Sequence, residues 1–191
     1  MIRITLGLIL AAVLSFPVSA AGLYVSGSFG PNWDEDSSLP FVSEETGLVG
    51  AVALGTSVAS VDGLRVELEA SFRNHDSNIG PITLTHDTTA VMLNAVYDAK
   101  GLAIGNVVPY FLLGGGAAWT DLTIGGLGLL TIENSGMAYQ AGFGFNYEVS
   151  EDVGLGLGYR YLEAPALEVF GFELDGGGNH AVMATATVKL N

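Results

Sequence analysis

Leu64-Arg65-Val66-Glu67-Leu68-Glu69-Ala70-Ser71-Phe72-Arg73 alternates without a break. Leu64, Val66, Leu68, Ala70 and Phe72 share one side, and Arg65, Glu67, Glu69, Ser71 and Arg73 share the other. A period of two is that of a β-strand, whose successive side chains point to opposite faces. One face is wholly apolar and the other mostly charged, so the strand separates an apolar medium from a polar one.

The same alternation recurs along the chain. Met137, Tyr139, Ala141, Phe143, Phe145 and Tyr147 oppose Ala138, Gln140, Gly142, Gly144, Asn146 and Glu148, and Val153, Leu155, Leu157, Tyr159 and Tyr161 oppose Gly154, Gly156, Gly158 and Arg160. Strands are expected near 22–30, 46–57, 63–73, 87–98, 108–120, 136–148, 152–162 and 179–190. Most have about the 9–11 residues with which a tilted strand crosses a bilayer. Connections alternate between long and short, as at the two rims of a barrel, which makes 31–45, 74–86, 121–135 and 163–178 the extracellular loops. In hydrocarbon every backbone donor and acceptor needs an internal partner, and among all-β structures only a closed barrel supplies one. The expected fold is therefore all-β: an eight-stranded antiparallel transmembrane β-barrel. A soluble β-sandwich fits less well, because the second face is rich in small residues. There are 27 glycines among 191 residues, about twice the usual share of ~7%.

Aromatic residues suit two interfacial girdles, with Phe29, Phe72, Trp119 and Tyr161 at the long-loop ends and Phe111 and Tyr147 at the other. The apolar run from Ile4 to Phe16 follows Arg3 and ends in Val18-Ser19-Ala20, the pattern of a cleaved signal peptide over residues 1–20, with the barrel domain over 21–191. The chain has no cysteine, which excludes disulfides, thiolate metal sites and cysteine nucleophiles. Its formal charge is −14, with six basic and twenty acidic residues; loss of Arg3 leaves five against twenty, or −15. That balance excludes nucleic acid as a partner.

Several segments resemble the OmpA-like, opacity-type family of small outer-membrane barrels, across essentially the whole of 21–191. Leu64 to Arg73 looks like the family's third strand, Val91 to Asp98 its fourth, and Pro109-Tyr110 with the glycines through Gly116 its fifth. Ala138 to Gly144 and Gly158-Tyr159-Arg160-Tyr161 look like its sixth and seventh. The resemblance implies a bacterial outer-membrane location, with outer-membrane lipids and the assembly machinery as partners. The sequence finishes Val188-Lys189-Leu190-Asn191 where the family usually has a terminal phenylalanine, and it carries no separate peptidoglycan-binding domain.

The inward-facing polar residues Arg65, Glu67, Glu69, Arg73, Gln140, Glu148, Arg160 and Lys189 are expected to form an interior network of compensating charges. On the lipid face each charge would cost up to ~2–4 kcal/mol near the midplane. Eight strands leave an interior just wide enough for side chains, which favours a plug over a pore.

Other constellations carry less. His75-Asp76-Ser77-Asn78 places a histidine and a serine on one face and is similar to the His-x-Ser-Asn motif of lipid A deacylases. In those enzymes the motif lies near the last strands rather than after the third, so a polar external segment is the expectation. Asp34, Glu35, Asp36, Glu44 and Glu45, and again Glu163, Glu168, Glu173 and Asp175, supply carboxylates of the kind calcium uses. They lack EF-hand spacing and read as solvated surface acids. His75, His86 and His180 fall at the extracellular rim on separate segments, which does not make a zinc site. The apolar runs Ile124 to Leu130 and Val169 to Phe172 suit either partner contact or hairpins extending past the bilayer.

The expectation is a non-enzymatic outer-membrane scaffold with surface-exposed loops and no cofactor. The alternatives are a small porin, an adhesin meeting a ligand or host surface through its loops, and a lipid A-modifying enzyme.

Overall fold

The computed structural model describes residues 22–34, 43–44, 46–79, 82–124, 130–164, 167–169, 172–174 and 178–190. The expected signal segment lies outside them. Eight long strands follow one another: β1 (Leu23–Asp34), β2 (Gly47–Ser57), β3 (Leu64–Ile79), β4 (Ile82–Asp98), β5 (Val107–Ile124), β6 (Leu130–Glu148), β7 (Val153–Glu163) and β8 (Gly178–Lys189). Each pairs antiparallel with its neighbour in sequence, and β1 also pairs with β8, so the sheet closes on itself. Ser43–Glu44 pairs with the far end of β3, and Leu167–Val169 pairs with Phe172–Leu174 as a small separate hairpin.

The stagger of the closure can be read from the register. From Tyr24 the paired residues run through Gly55, Glu67, Asn94, Gly114, Gln140, Leu162 and Asn179 and return to β1 at Asp34, ten positions from residue 24. For eight strands this corresponds to a tilt of roughly 40°, within the usual barrel range.

Alternation decides which side chains enter the lumen. In β1 and β2 the burial pattern alternates residue by residue. Phe29, Val52, Phe72, Leu113, Phe143, Phe145 and Leu157 are each more than half exposed on the outside. That apolar outer surface is what a transmembrane barrel presents to lipid. Trp33 and His180 stack outside at 6.0 Å, and the Tyr159 hydroxyl lies 2.5 Å from His180 Nδ1. Together with Tyr161, they add to the expected aromatic belt at the long-loop side.

The short turns are tightly bonded. Val58 N–H donates to Leu64 O at 2.8 Å and Val149 N–H to Val153 O at 2.9 Å. Gly63 has φ +80°, and a Cβ there would also lie 2.4 Å from the Asp98 carbonyl oxygen.

At the other rim the strands run further than alternation of apolar residues suggests. Residues 74–79, 82–86, 121–124 and 130–135, expected in loops, are strand instead: β3 and β4 stay paired to Ile79↔Ile82, and β5 and β6 to Ile124↔Leu130. Asn74, Asp87, Asp121 and Glu133 are successive cross-strand partners on the outer face of these extensions. Such polar side chains cannot face hydrocarbon, so this part of the barrel stands clear of the membrane, and with water on both sides no apolar stripe marks it.

Candidate functional site

Among the described residues, three groups of bonded polar side chains are spaced along the barrel axis. The lowest, at the short-turn rim, is organised by Arg65. Its guanidinium grips Asp98 with two hydrogen bonds, Nε to Oδ2 at 2.6 Å and Nη2 to Oδ1 at 2.9 Å. Nη1 also donates to Glu67 Oε1 at 2.9 Å and to the Tyr24 hydroxyl at 2.7 Å. Tyr24 in turn donates to Glu67 at 2.6 Å, and Asn146 Nδ2 donates to Asp98 at 3.0 Å. The bidentate arrangement suits the planar guanidinium and fixes its orientation. Beneath it a bowl of about 140 Å³, whose lining includes Asp98, Asn146, Glu151 and Asp152, opens to the rim.

The middle group crosses the whole lumen. Arg160 Nη1 of β7 is ion-paired with Glu69 Oε2 of β3, four strands away on the opposite wall. Gln140 Nε2 donates to Glu69 Oε1 at 3.2 Å and to Asn94 Oδ1 at 2.7 Å, and Asn94 Nδ2 approaches Glu69 Oε2 at 3.4 Å. Every member is almost completely buried. Apolar side chains fill the remaining section, with Met92, Leu112, Leu162 and Met183 each 2% exposed or less. Tyr110 reaches across to β7, where only glycine leaves room: a Cβ on Gly158 would lie 2.0 Å from the tyrosine oxygen.

Arg73 lies beyond the middle group, 2% exposed, with Nη1 donating to Ser71 Oγ at 2.8 Å. Among the described residues it forms no ion pair within 4 Å.

The uppermost group lies in the extension clear of the membrane. His75 Nε2 of β3 meets Asp34 Oδ2 of β1 at 2.6 Å, Asn179 Nδ2 of β8 donates to Asp34 Oδ1 at 2.7 Å, and the His86 ring of β4 stacks on His75 at 4.7 Å and 13°. Burial pushes the Asp34 carboxyl pKa up, but the His75 hydrogen bond and charge, with Asn179 and His86, outweigh it and hold the pKa below the usual range. Burial, reinforced by His75, pushes the His86 pKa down against the opposing pull of Asp34, Asp76 and Asp87.

Of the eight residues expected in the network, Arg65, Glu67, Glu69, Arg73, Gln140 and Arg160 enter the lumen. Glu148 and Lys189 do not join them. Each is the last residue of its strand and is exposed, and Lys189 Nζ donates to the Glu151 carbonyl at 2.6 Å. Alternation assigns a face to a residue but not a height along the barrel. The partners Tyr24, Asp98, Asn94 and Asn146 carry the same inward parity, and that parity was the signal available for them.

The three histidines divide as well: His75 and His86 point inward and His180 outward. His75 belongs to a strand rather than an external loop, while the Ser77 side chain is outside the described residues. Of the expected surface acids, Asp34 is instead committed to His75. Glu35, Asp36, Glu45 and Asp175 lie outside the described residues, as do the side chains of Glu44, Glu168 and Glu173. Among the described residues no group of three His, Asp or Glu side chains is placed to hold a metal ion.

The geometry is that of a small barrel with an occupied interior and an apolar exterior. The outer membrane protein beta-barrel domain family matches residues 4–186. The chain belongs to that family. Its place is accordingly the outer membrane, and the strands rather than any helix make the crossing. Solved structures share the fold. Neisserial surface protein A is 17% identical, with 89% of this chain and 98% of that one covered and a TM-score of 0.64. A major outer membrane protein from Thermus thermophilus is 14% identical over 87% and 98%, with a TM-score of 0.58. Ail, the attachment invasion locus protein of Yersinia pestis, is 15% identical over 87% and 97%, with a TM-score of 0.53. Comparison with curated proteins gives no match.

Proposed function

We propose that this protein is a non-catalytic structural scaffold of the outer membrane, a closed barrel that displays its long-loop rim at the cell surface. The observation that carries the reading is the Glu69–Arg160 pair with Gln140 and Asn94, set among fully buried Met92, Leu112, Leu162 and Met183. A water-filled pore needs a continuous polar path, and this section is occupied by side chains bonded to one another. Residues 1–20 would direct export and be removed, and the assembly machinery would insert the remaining chain. The test is single-channel recording from the refolded barrel in a planar bilayer. The expected record has no resolved steps; steady channels would reverse the assignment in favour of a small porin.

A second reading concerns the rim. Ail's name speaks of attachment and invasion, and in this chain the paired strands β3–β6 project a polar wall beyond the membrane. Adhesion through that rim is compatible with a closed lumen. Binding of intact cells to a host surface, lost when 80–81 and 125–129 are replaced by short glycine turns, would establish it.

A further inference from the structure

The uppermost lumen group has no part in closing the membrane-spanning section, yet its carboxylate and two imidazoles join three strands. His75 and His86 are directly opposed on β3 and β4, and Asp34 reaches His75 from β1, past the first residue of β2. That residue is Gly47, where a Cβ would lie 2.6 Å from the His75 Cβ. The ends of β1, β3 and β4 are thus fastened by one carboxylate and two imidazoles, a set whose charge balance changes with a single proton.

We propose that the His75–His86 stack over Asp34 is a proton-operated latch at the mouth of the barrel: with His86 neutral it holds the projecting ends of β1, β3 and β4 together, and protonation of His86 releases the β3–β4 extension while the membrane-spanning barrel stays closed. A cation on His75 is answered by Asp34. A second cation on a ring stacked 4.7 Å away has no inward carboxylate of its own among the described residues. Arg73, one inward position below on β3, adds a further positive charge. From β4 and β5 the adjacent inward residues are Thr88, Thr120 and Leu122, and from β8 Asn179, all neutral. Asp76, Asp87 and Asp121 lie on the outer faces of the same strands, next to water, where their attraction is screened.

The sign follows from the charges. The folded mouth disfavours the His86 cation, so its contribution to stability is intact above the range of an ordinary histidine and falls as the pH drops through that range. Asp34 is held in its charged form more firmly than usual, so it remains a carboxylate over the same span. Each unit of pKa depression at His86 corresponds to a tenfold change in the opening equilibrium.

The experiment is amide hydrogen exchange on the full refolded barrel between about pH 7.5 and about pH 5, the span in which histidine titrates, corrected for intrinsic exchange. Residues 74–78 and 83–87 should lose protection toward the acid end, while 66–72 keep theirs. His86→Phe retains a ring on His75 but takes no proton, and should flatten the response; His86→Gln serves the same purpose should the phenylalanine variant not fold. Asp34→Asn should loosen the same amides already at the neutral end. Unchanged protection of 74–78 in the wild type, or the same acid response in the His86 variants, would overturn the proposal. Loss of protection throughout the barrel would also overturn it, because the latch would then not be local.

Discussion

Glu69 and Arg160 meet across the full diameter of the lumen, from β3 on one wall to β7 on the other. Burial removes both from water, and each has further polar neighbours, Gln140 and Asn94 at the carboxylate and the Tyr110 phenol beside the guanidinium, although the buried Arg160 Nε has no hydrogen-bond partner among the described residues.

Breaking this pair from one side should cost more than removing both charges. Glu69→Gln leaves the Arg160 cation buried without its counter-charge, a loss of roughly 3–5 kcal/mol for an interior pair. The combined Glu69→Leu and Arg160→Met replacement should recover most of that loss. Urea midpoints from folded and unfolded gel bands measure both, and equal losses for the single and double variants would refute the coupling. Glu67→Gln with Glu69→Gln leaves Arg160 without its carboxylate and Arg65 with Asp98 alone, and should raise conductance from near zero.

The close approach of Tyr110 to β7 predicts a steric effect. In Gly158→Ala the new methyl would sit 2.0 Å from the tyrosine oxygen and 3.0 Å from the Phe143 carbonyl oxygen. Overpacking of this kind costs about 1–3 kcal/mol. Adding Tyr110→Phe removes the first contact and leaves the second, so the urea midpoint should return only part of the way.

How much of this was legible depended on the surroundings of each residue. Where lipid lies on one side and the lumen on the other, as from Leu64 to Arg73, composition must alternate, and the strand could be recognised. Beyond Arg73 the same strand has water outside and polar side chains within, so Asn74, His75, Asp76 and Ser77 resemble a loop although the hydrogen-bonded ladder continues. Parity likewise placed Arg160 and Glu69 in the lumen. Their opposition, and the Asp34–His75 contact, follow from the stagger of closure, which no single strand encodes.

The outer face provides another test. Leu68 lies on the apolar side of β3, paired with Leu54 and Leu93. Leu68→Arg should cost ~2–4 kcal/mol if it meets hydrocarbon near the midplane. Leu68→Phe should be tolerated, as large apolar side chains already populate that surface. Yields of folded, heat-modifiable protein distinguish the two; equal yields would mean that Leu68 does not face lipid.

Orientation can be checked cleanly because the chain has no cysteine. Glu133→Cys, exposed on the projecting end of β6, should react with a membrane-impermeant maleimide on intact cells. Asp62→Cys, in the exposed turn between β2 and β3, should react only after the outer membrane is permeabilised. The opposite pattern would invert the barrel.

The pairing of β1 with β8 gives the order of folding a definite constraint. Arg160 arrives on β7, and the seam that seals it away from water forms only when β8 docks beside β1. Until then Glu69 and Arg65 belong to an open, curved sheet and must stay hydrated, so an incompletely docked chain cannot slide into hydrocarbon and come to rest there. Insertion and sealing become a single commitment, made when the last strand reaches the first.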